Sequence, residues 1–140
     1  MLAKQITYTD YNGVKRTETF HFHLTKAELM EMEIGTTGGM GEMMQRIVEA
    51  QDGPAIIKIF KDVILKAYGI KSADGKQFMK KDPVTGVDLS IGFSQTEAYS
   101  ELFMELSTNA EAGAAFVNGI MPADIAEEAA KQAPNLLPLK

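Results

Sequence analysis

The chain has no cysteine and no tryptophan. Without cysteine there can be no disulfide, no thiolate chemistry and no Cys-ligated zinc, which fits a reducing compartment. Long apolar runs are missing too: none approaches the roughly 20 residues that a membrane-spanning helix needs. The opening MLAKQITYTD lacks the apolar stretch of a secretory leader, so the chain is expected to stay where it is made. Positive charge is scarce: 14 Lys and Arg stand against 19 Asp and Glu, a net charge of −5. An acidic chain is poorly disposed toward phosphate backbones or anionic lipid, so neither nucleic acid nor membrane is expected as a partner. Histidine is limited to His21 and His23, and no serine sits in a triad-like pattern with either.

What remains is apolar and pliable. The 140 residues are 45% hydrophobic, enough for one domain with a real core. Nine residues are methionine, five of them within Met30–Met44. Methionine fills irregular gaps or serves adaptable binding surfaces, and core filler is the default because most apolar side chains are buried.

Residues 5–24 read as a β-hairpin, with Ile6, Tyr8, Phe20, Phe22 and Leu24 alternating with polar residues and Asn12-Gly13 marking the turn. Parity constrains that turn. A two-residue loop would pair even with odd positions and put Ile6 and Tyr8 on the side opposite Phe20 and Phe22. A three-residue connection, with Gly13 or a neighbour in the left-handed region, keeps them together.

Thr25-Lys26-Ala27-Glu28 is a capping box between staple residues Leu24 and Leu29. Its helix is expected to end near Ile34–Gly35. After the glycine-rich loop, Met40, Met43, Met44, Ile47 and Val48 outline a second helix. Pro54 opens a third, with Ile56, Phe60, Val63, Ile64 and Ala67 as a stripe that Ile57, Ile59, Leu65 and Tyr68 widen. That helix should be central to the core, and Gly69 should stop it. Residues 76–92 offer a small second hairpin, with Val87, Leu89 and Ile91 alternating. Ser94–Glu97 and Thr108–Glu111 read as two further capping boxes. They open helices with apolar faces at Ala98, Tyr99, Leu102, Phe103 and Leu106, then at Ala112, Ala115, Phe116, Val117 and Ile120. Asn118-Gly119 should close the second, and a last helix is expected at Ala123–Ala133. The fold class is α+β: an N-terminal hairpin, five to six helices and the small second hairpin, in one domain over 1–133 with a flexible tail over 134–140.

Candidate chemistry is thin. His21 and His23 share a strand face, but no third ligand is evident and alternation places both toward solvent. Gly35–Glu42 lacks the Gly-Lys-Ser/Thr ending of a phosphate loop. Glu28, Glu31 and Glu33, and Glu101 with Glu105, fall on polar helix faces. The 82–88 segment lacks calcium-loop spacing and reads as a plain turn. Neither metal, cofactor nor catalytic residue is expected, and the chain is read as a non-enzyme.

Residues 96–122, TEAYSELFMELSTNAEAGAAFVNGIMP, carry two short amphipathic helices end to end without a reactive group between them. With the opening hairpin ITYTDYNGVKRTETFHFHLTKAEL, the segment MEMEIGTTGGMGEMMQRIV and the run AIIKIFKDVILKAYGIKSADGKQF, the chain resembles the tail assembly chaperones of bacteriophages with long, non-contractile tails. The resemblance spans most of 6–122; residues 80–91 and the stretch after Ala123 match least. It implies a chaperone made in the infected host's cytoplasm and absent from the mature virion. Such a chaperone binds the helical tape measure protein and keeps it soluble until tail tube subunits polymerise around it. It also implies that a longer, frameshifted form can engage the tail tube protein, and self-association is a further expectation. The surface suited to amphipathic cargo helices would comprise Met30, Met32, Met40, Met43 and Met44, with Tyr99, Phe103 and Met104 as a second face. The alternative reading is a structural subunit of the virion, in the tail or connector.

Overall fold

The computed structural model describes residues 1–35 and 53–122. Strands β1 (Leu2–Thr9) and β2 (Lys15–Phe22) form an antiparallel hairpin with Leu2 opposite Phe22 and Thr9 opposite Lys15. The hairpin loop has the odd length that parity requires. The Asp10 amide donates to the Val14 carbonyl at 2.9 Å, leaving a three-residue connection, and Gly13 sits at φ 80°. Asp10 organises the turn with its side chain as well. One carboxylate oxygen accepts from the amides of Asn12 and Val14, both at 2.9 Å, and the other from Arg16 Nε at 2.6 Å. Ile6 and Phe22 are thereby buried on one face, with Leu2, Tyr8 and Phe20 packed beside them.

Helix α1 (Lys26–Gly35) begins at the expected box: the Glu28 amide donates to Thr25 Oγ1 at 3.1 Å and the Thr25 amide to Glu28 Oε1 at 2.8 Å. Both staple residues, Leu24 and Leu29, are buried. Helix α2 (Gly53–Ala67) supplies Phe60, Val63, Ile64 and Ala67 to the core, as its stripe implies, while Ile57 stays half exposed. Burying side chains of this size contributes about 1.5–3 kcal/mol each.

The chain after α2 departs from the sequence reading. Tyr68 does not extend the helix, and Gly69 is not its stop. Tyr68–Lys71 is strand β3, paired with β2 through His21–Gly69 and Phe22–Tyr68, and antiparallel to β4 (Phe78–Met79). The second hairpin thus starts at Tyr68, not near residue 76, and a bridge between Lys81 and Asp88 closes the following loop. The sheet order is β1-β2-β3-β4. Gly69 is required by packing: a Cβ there would lie 2.6 Å from the Phe78 ring and 2.8 Å from the Met79 carbonyl oxygen.

Leu89 and Ile91 belong to a short helix, α3 (Leu89–Ser94), rather than to a strand. Both later caps are shifted from the expected boxes. Helix α4 (Glu97–Thr108) is capped by Thr96, which accepts from the Tyr99 amide at 3.2 Å; Ser94 Oγ instead donates back to the Ile91 carbonyl. Helix α5 (Ala110–Ile120) is capped by Asn109, which accepts from the Ala112 amide at 3.1 Å, while Thr108 Oγ1 donates to the Met104 carbonyl. The α5 helix runs through Gly119 to Ile120. It buries Gly113 and Ala114 where Ala115 was expected, and Ala115 is exposed. The expected helices around Met40–Val48 and Ala123–Ala133, and the tail, lie outside the described residues. The class is therefore α+β, with an N-terminal hairpin, a four-stranded sheet and five helices among the described residues.

Candidate partner-binding surface

Phe93 is where the elements meet. It is buried, with its ring stacked on Tyr68 at 4.4 Å and 8° and close to Phe20 (5.2 Å), Phe22 (5.8 Å) and Tyr99 (5.9 Å). One side chain from the short α3 helix thus joins β2, β3 and α4. In sequence Phe93 precedes an expected cap and nothing marks it as central.

Helix α4 lies against β1 with Ala98, Leu102 and Leu106 buried. Its two flanks differ. Tyr99 and Phe103 form the flank toward α3, with rings 5.9 Å apart, and pack against the core. Glu97, Glu101 and Glu105 form the other flank, one turn apart. Glu105 Oε2 accepts from Lys4 Nζ at 3.0 Å and Glu97 Oε2 from the Tyr11 hydroxyl at 2.9 Å, so this flank fastens β1 at Lys4 and the hairpin turn at Tyr11. Met104 points away from the core and is 56% exposed. Among the expected α4 contacts, then, Met104 offers most of its side chain, while Tyr99 and Phe103 are partly committed to packing. On α1, Met30 is 66% exposed. Met32 lies in α1 without a described side chain, and Met40, Met43 and Met44 are outside the described residues.

The histidine pair is not as alternation implies. His23 lies past the end of β2, its amide donating to the Ala67 carbonyl at 2.8 Å. Its ring meets Phe78 edge-on at 6.3 Å, and Nδ1 is buried without a hydrogen-bond partner. It is half-buried rather than solvent-facing, because the second hairpin folds over it. Burial holds its pKa below the ordinary value; the N-terminal ammonium lowers it further, Glu28 opposes that, and Lys80 adds a smaller lowering.

Glu28 and Lys80 form the adjoining polar contact. Lys80 Nζ donates to Glu28 Oε2 and to the Lys66 carbonyl, both at 2.7 Å. Lys80 thereby joins the end of α2 to the start of α1. Burial raises the Glu28 pKa, but the bonds from Lys80 and the Thr25 amide outweigh it and the net shift is downward. Glu28 therefore belongs to a cap and an ion pair rather than to a solvated acidic face. In the 82–88 turn, Asp82 Oδ1 accepts from the amides of Val84 and Thr85, and Gly86 takes φ 75°. No group of three or more His, Asp or Glu among the described residues is placed to hold a metal ion. No helix among them is long and apolar enough to cross a membrane.

A family model described as phage tail assembly chaperone matches residues 1–137. No curated protein and no solved structure matches the chain.

Proposed function

We propose, on the premise that this chain belongs to the phage tail assembly chaperone family, that it binds the tape measure protein and keeps that protein soluble while the tail is built. The carrying observation is the disposition of Met30 and Met104. Both stand largely exposed on helices whose other faces are anchored in the core. Exposed methionine accommodates many apolar stripes without one rigid fit, which suits a cargo made of repeated amphipathic helices. The binding energy would come from apolar burial, on the order of 25 cal/mol per Å² before the costs of association. The net charge of −5 would help keep the complex soluble. Met32, Met40, Met43 and Met44 would extend the α1 surface, and Tyr99 and Phe103 would form the shoulder beside Met104. The role is one of binding without catalysis, in the host cytoplasm, with the protein left out of the finished particle. A longer frameshifted form would recruit the tail tube protein.

Co-expression with helical segments of the tape measure protein tests this reading. The wild-type chain should keep the segment in the soluble fraction and co-purify with it. The Met30→Ser, Met104→Ser double variant should retain its melting temperature and recover several-fold less cargo. Equal recovery would remove these side chains from the binding surface, and abundant chain in purified particles would count against a chaperone that departs.

A further inference from the structure

Among the described residues, the outer edge of β1 is open. Strand β1 ends the sheet and pairs with no strand other than β2 among the described residues. The hairpin register fixes which backbone groups face outward. Asp10 and Val14 form the hydrogen-bonded pair that closes the loop, so in an antiparallel ladder even positions bond to β2 and odd positions point away. The amides and carbonyls of Ala3, Gln5, Thr7 and Thr9 therefore face the open edge. The close approach of Thr7 Oγ1 to Thr17 Oγ1, 3.0 Å, agrees with a non-hydrogen-bonded pair at that level.

Edge strands are normally blunted by proline, a bulge, brevity or an outward lysine. This strand has eight residues, no proline, and full register along its length. Its one lysine, Lys4, is tied down to Glu105. The odd side chains are uncharged and exposed. Beside the edge runs the acidic flank of α4. Glu97 and Glu105 are engaged with Tyr11 and Lys4, while Glu101, midway between them, is exposed and has no ion pair with a described residue.

We propose that the β1 edge receives an extended, basic segment of another protein as a fifth strand. Alternate Lys or Arg side chains of that segment would rise beside α4 toward Glu101. A second copy of this chain fits less well, because a twofold pairing of β1 edges would bring two acidic α4 flanks together. This goes beyond the helix-binding reading and does not depend on it: backbone pairing, not apolar burial, holds the ligand.

The test uses the full-length chain and a nine-residue peptide alternating lysine with valine. Controls are a peptide with the same residues in blocks and one with glutamate replacing lysine. Binding of the alternating peptide should slow amide hydrogen exchange at Ala3, Gln5, Thr7 and Thr9 at least tenfold, and both controls should leave those amides unchanged. Thr7→Pro removes an outward donor and should weaken binding at least tenfold. Glu101→Lys, on the helix surface, should weaken it several-fold whether or not the proline variant folds. Equal protection by the block peptide, unaltered affinity in Glu101→Lys, or peptide-free protection that grows with protein concentration would each overturn the proposal. Loss of peptide binding with intact cargo recovery would leave the chaperone reading standing.

Discussion

Gly113→Ala should destabilise the fold even though alanine is the better helix former. Gly113 lies within α5, where replacing glycine stabilises an unconstrained helix by about 0.8–1 kcal/mol. Here the new Cβ would stand 2.5 Å from Cζ and 3.2 Å from Cε1 of Phe60, and 3.2 Å from the Leu106 carbonyl oxygen. Phe60 is 2% exposed, so its ring has no free space to enter. Overpacking of this kind costs about 1–3 kcal/mol. A 2.5 Å approach to a buried ring belongs in the upper part of that range, about 2–3 kcal/mol, so the opposing effects leave a net loss of about 1–2 kcal/mol, a fall of roughly 3–10 °C in melting temperature for a chain of this size. Gly92→Ala is the matched control: a Cβ there meets nothing within 4 Å, and the substitution should gain up to about 1 kcal/mol. Thermal melts of both variants, and of Gly113→Ala in a Phe60→Leu background, check the reasoning. The smaller partner should recover about 0.5–2 kcal/mol of coupling. A Gly113→Ala protein as stable as wild type, or no coupling to Phe60, would refute the α2–α5 contact as the reason for glycine.

Three further outcomes are expected. Phe93→Ala should cost about 3–5 kcal/mol in chemical denaturation, since a core ring touching four others is removed; a loss under about 1 kcal/mol would mean that Phe93 is no hub. Lys80→Met should cost about 1–3 kcal/mol, because it leaves Glu28 and the Lys66 carbonyl without their shared donor, and it should raise the Glu28 pKa measured by NMR titration. His23 has a folded-state pKa below the ordinary histidine value of 6.5, so the unfolded chain takes up the proton first. Its contribution to stability is complete above that value and declines as pH falls toward the folded-state pKa. Melting temperature should therefore drop between pH 7 and 5, and His23→Phe should flatten that part of the profile. An unchanged slope would place the acid sensitivity elsewhere.

The α+β class, the three-residue hairpin loop, the Thr25–Glu28 box and the buried stripe of α2 are all legible in the sequence. Each rests on local physics: side-chain period, turn parity, or a hydroxyl three residues before a carboxylate. Where neighbouring residues offered the same chemistry, local rules could not choose. Ser94 and Thr96 can both cap a helix, as can Thr108 and Asn109, and the positions of α4 and α5 against the core settled on Thr96 and Asn109. Of the candidate surface, the exposure of Met30 and Met104 is consistent with their helical phase, whereas the divided loyalty of Tyr99 and Phe103 depends on where α3 packs.

Composition and spacing alone thus determined the opening hairpin, the helices that begin after Thr25 and at Pro54, and the absence of a cysteine-based site. Tertiary structure decided the rest, because those outcomes depend on contacts between residues far apart in the chain. Tyr68–Lys71 became a strand because β2 had an edge to fill. Gly69 and Gly113 are fixed by rings arriving from other elements, and His23 was desolvated by a hairpin whose contacting residue, Phe78, is more than fifty residues away in sequence.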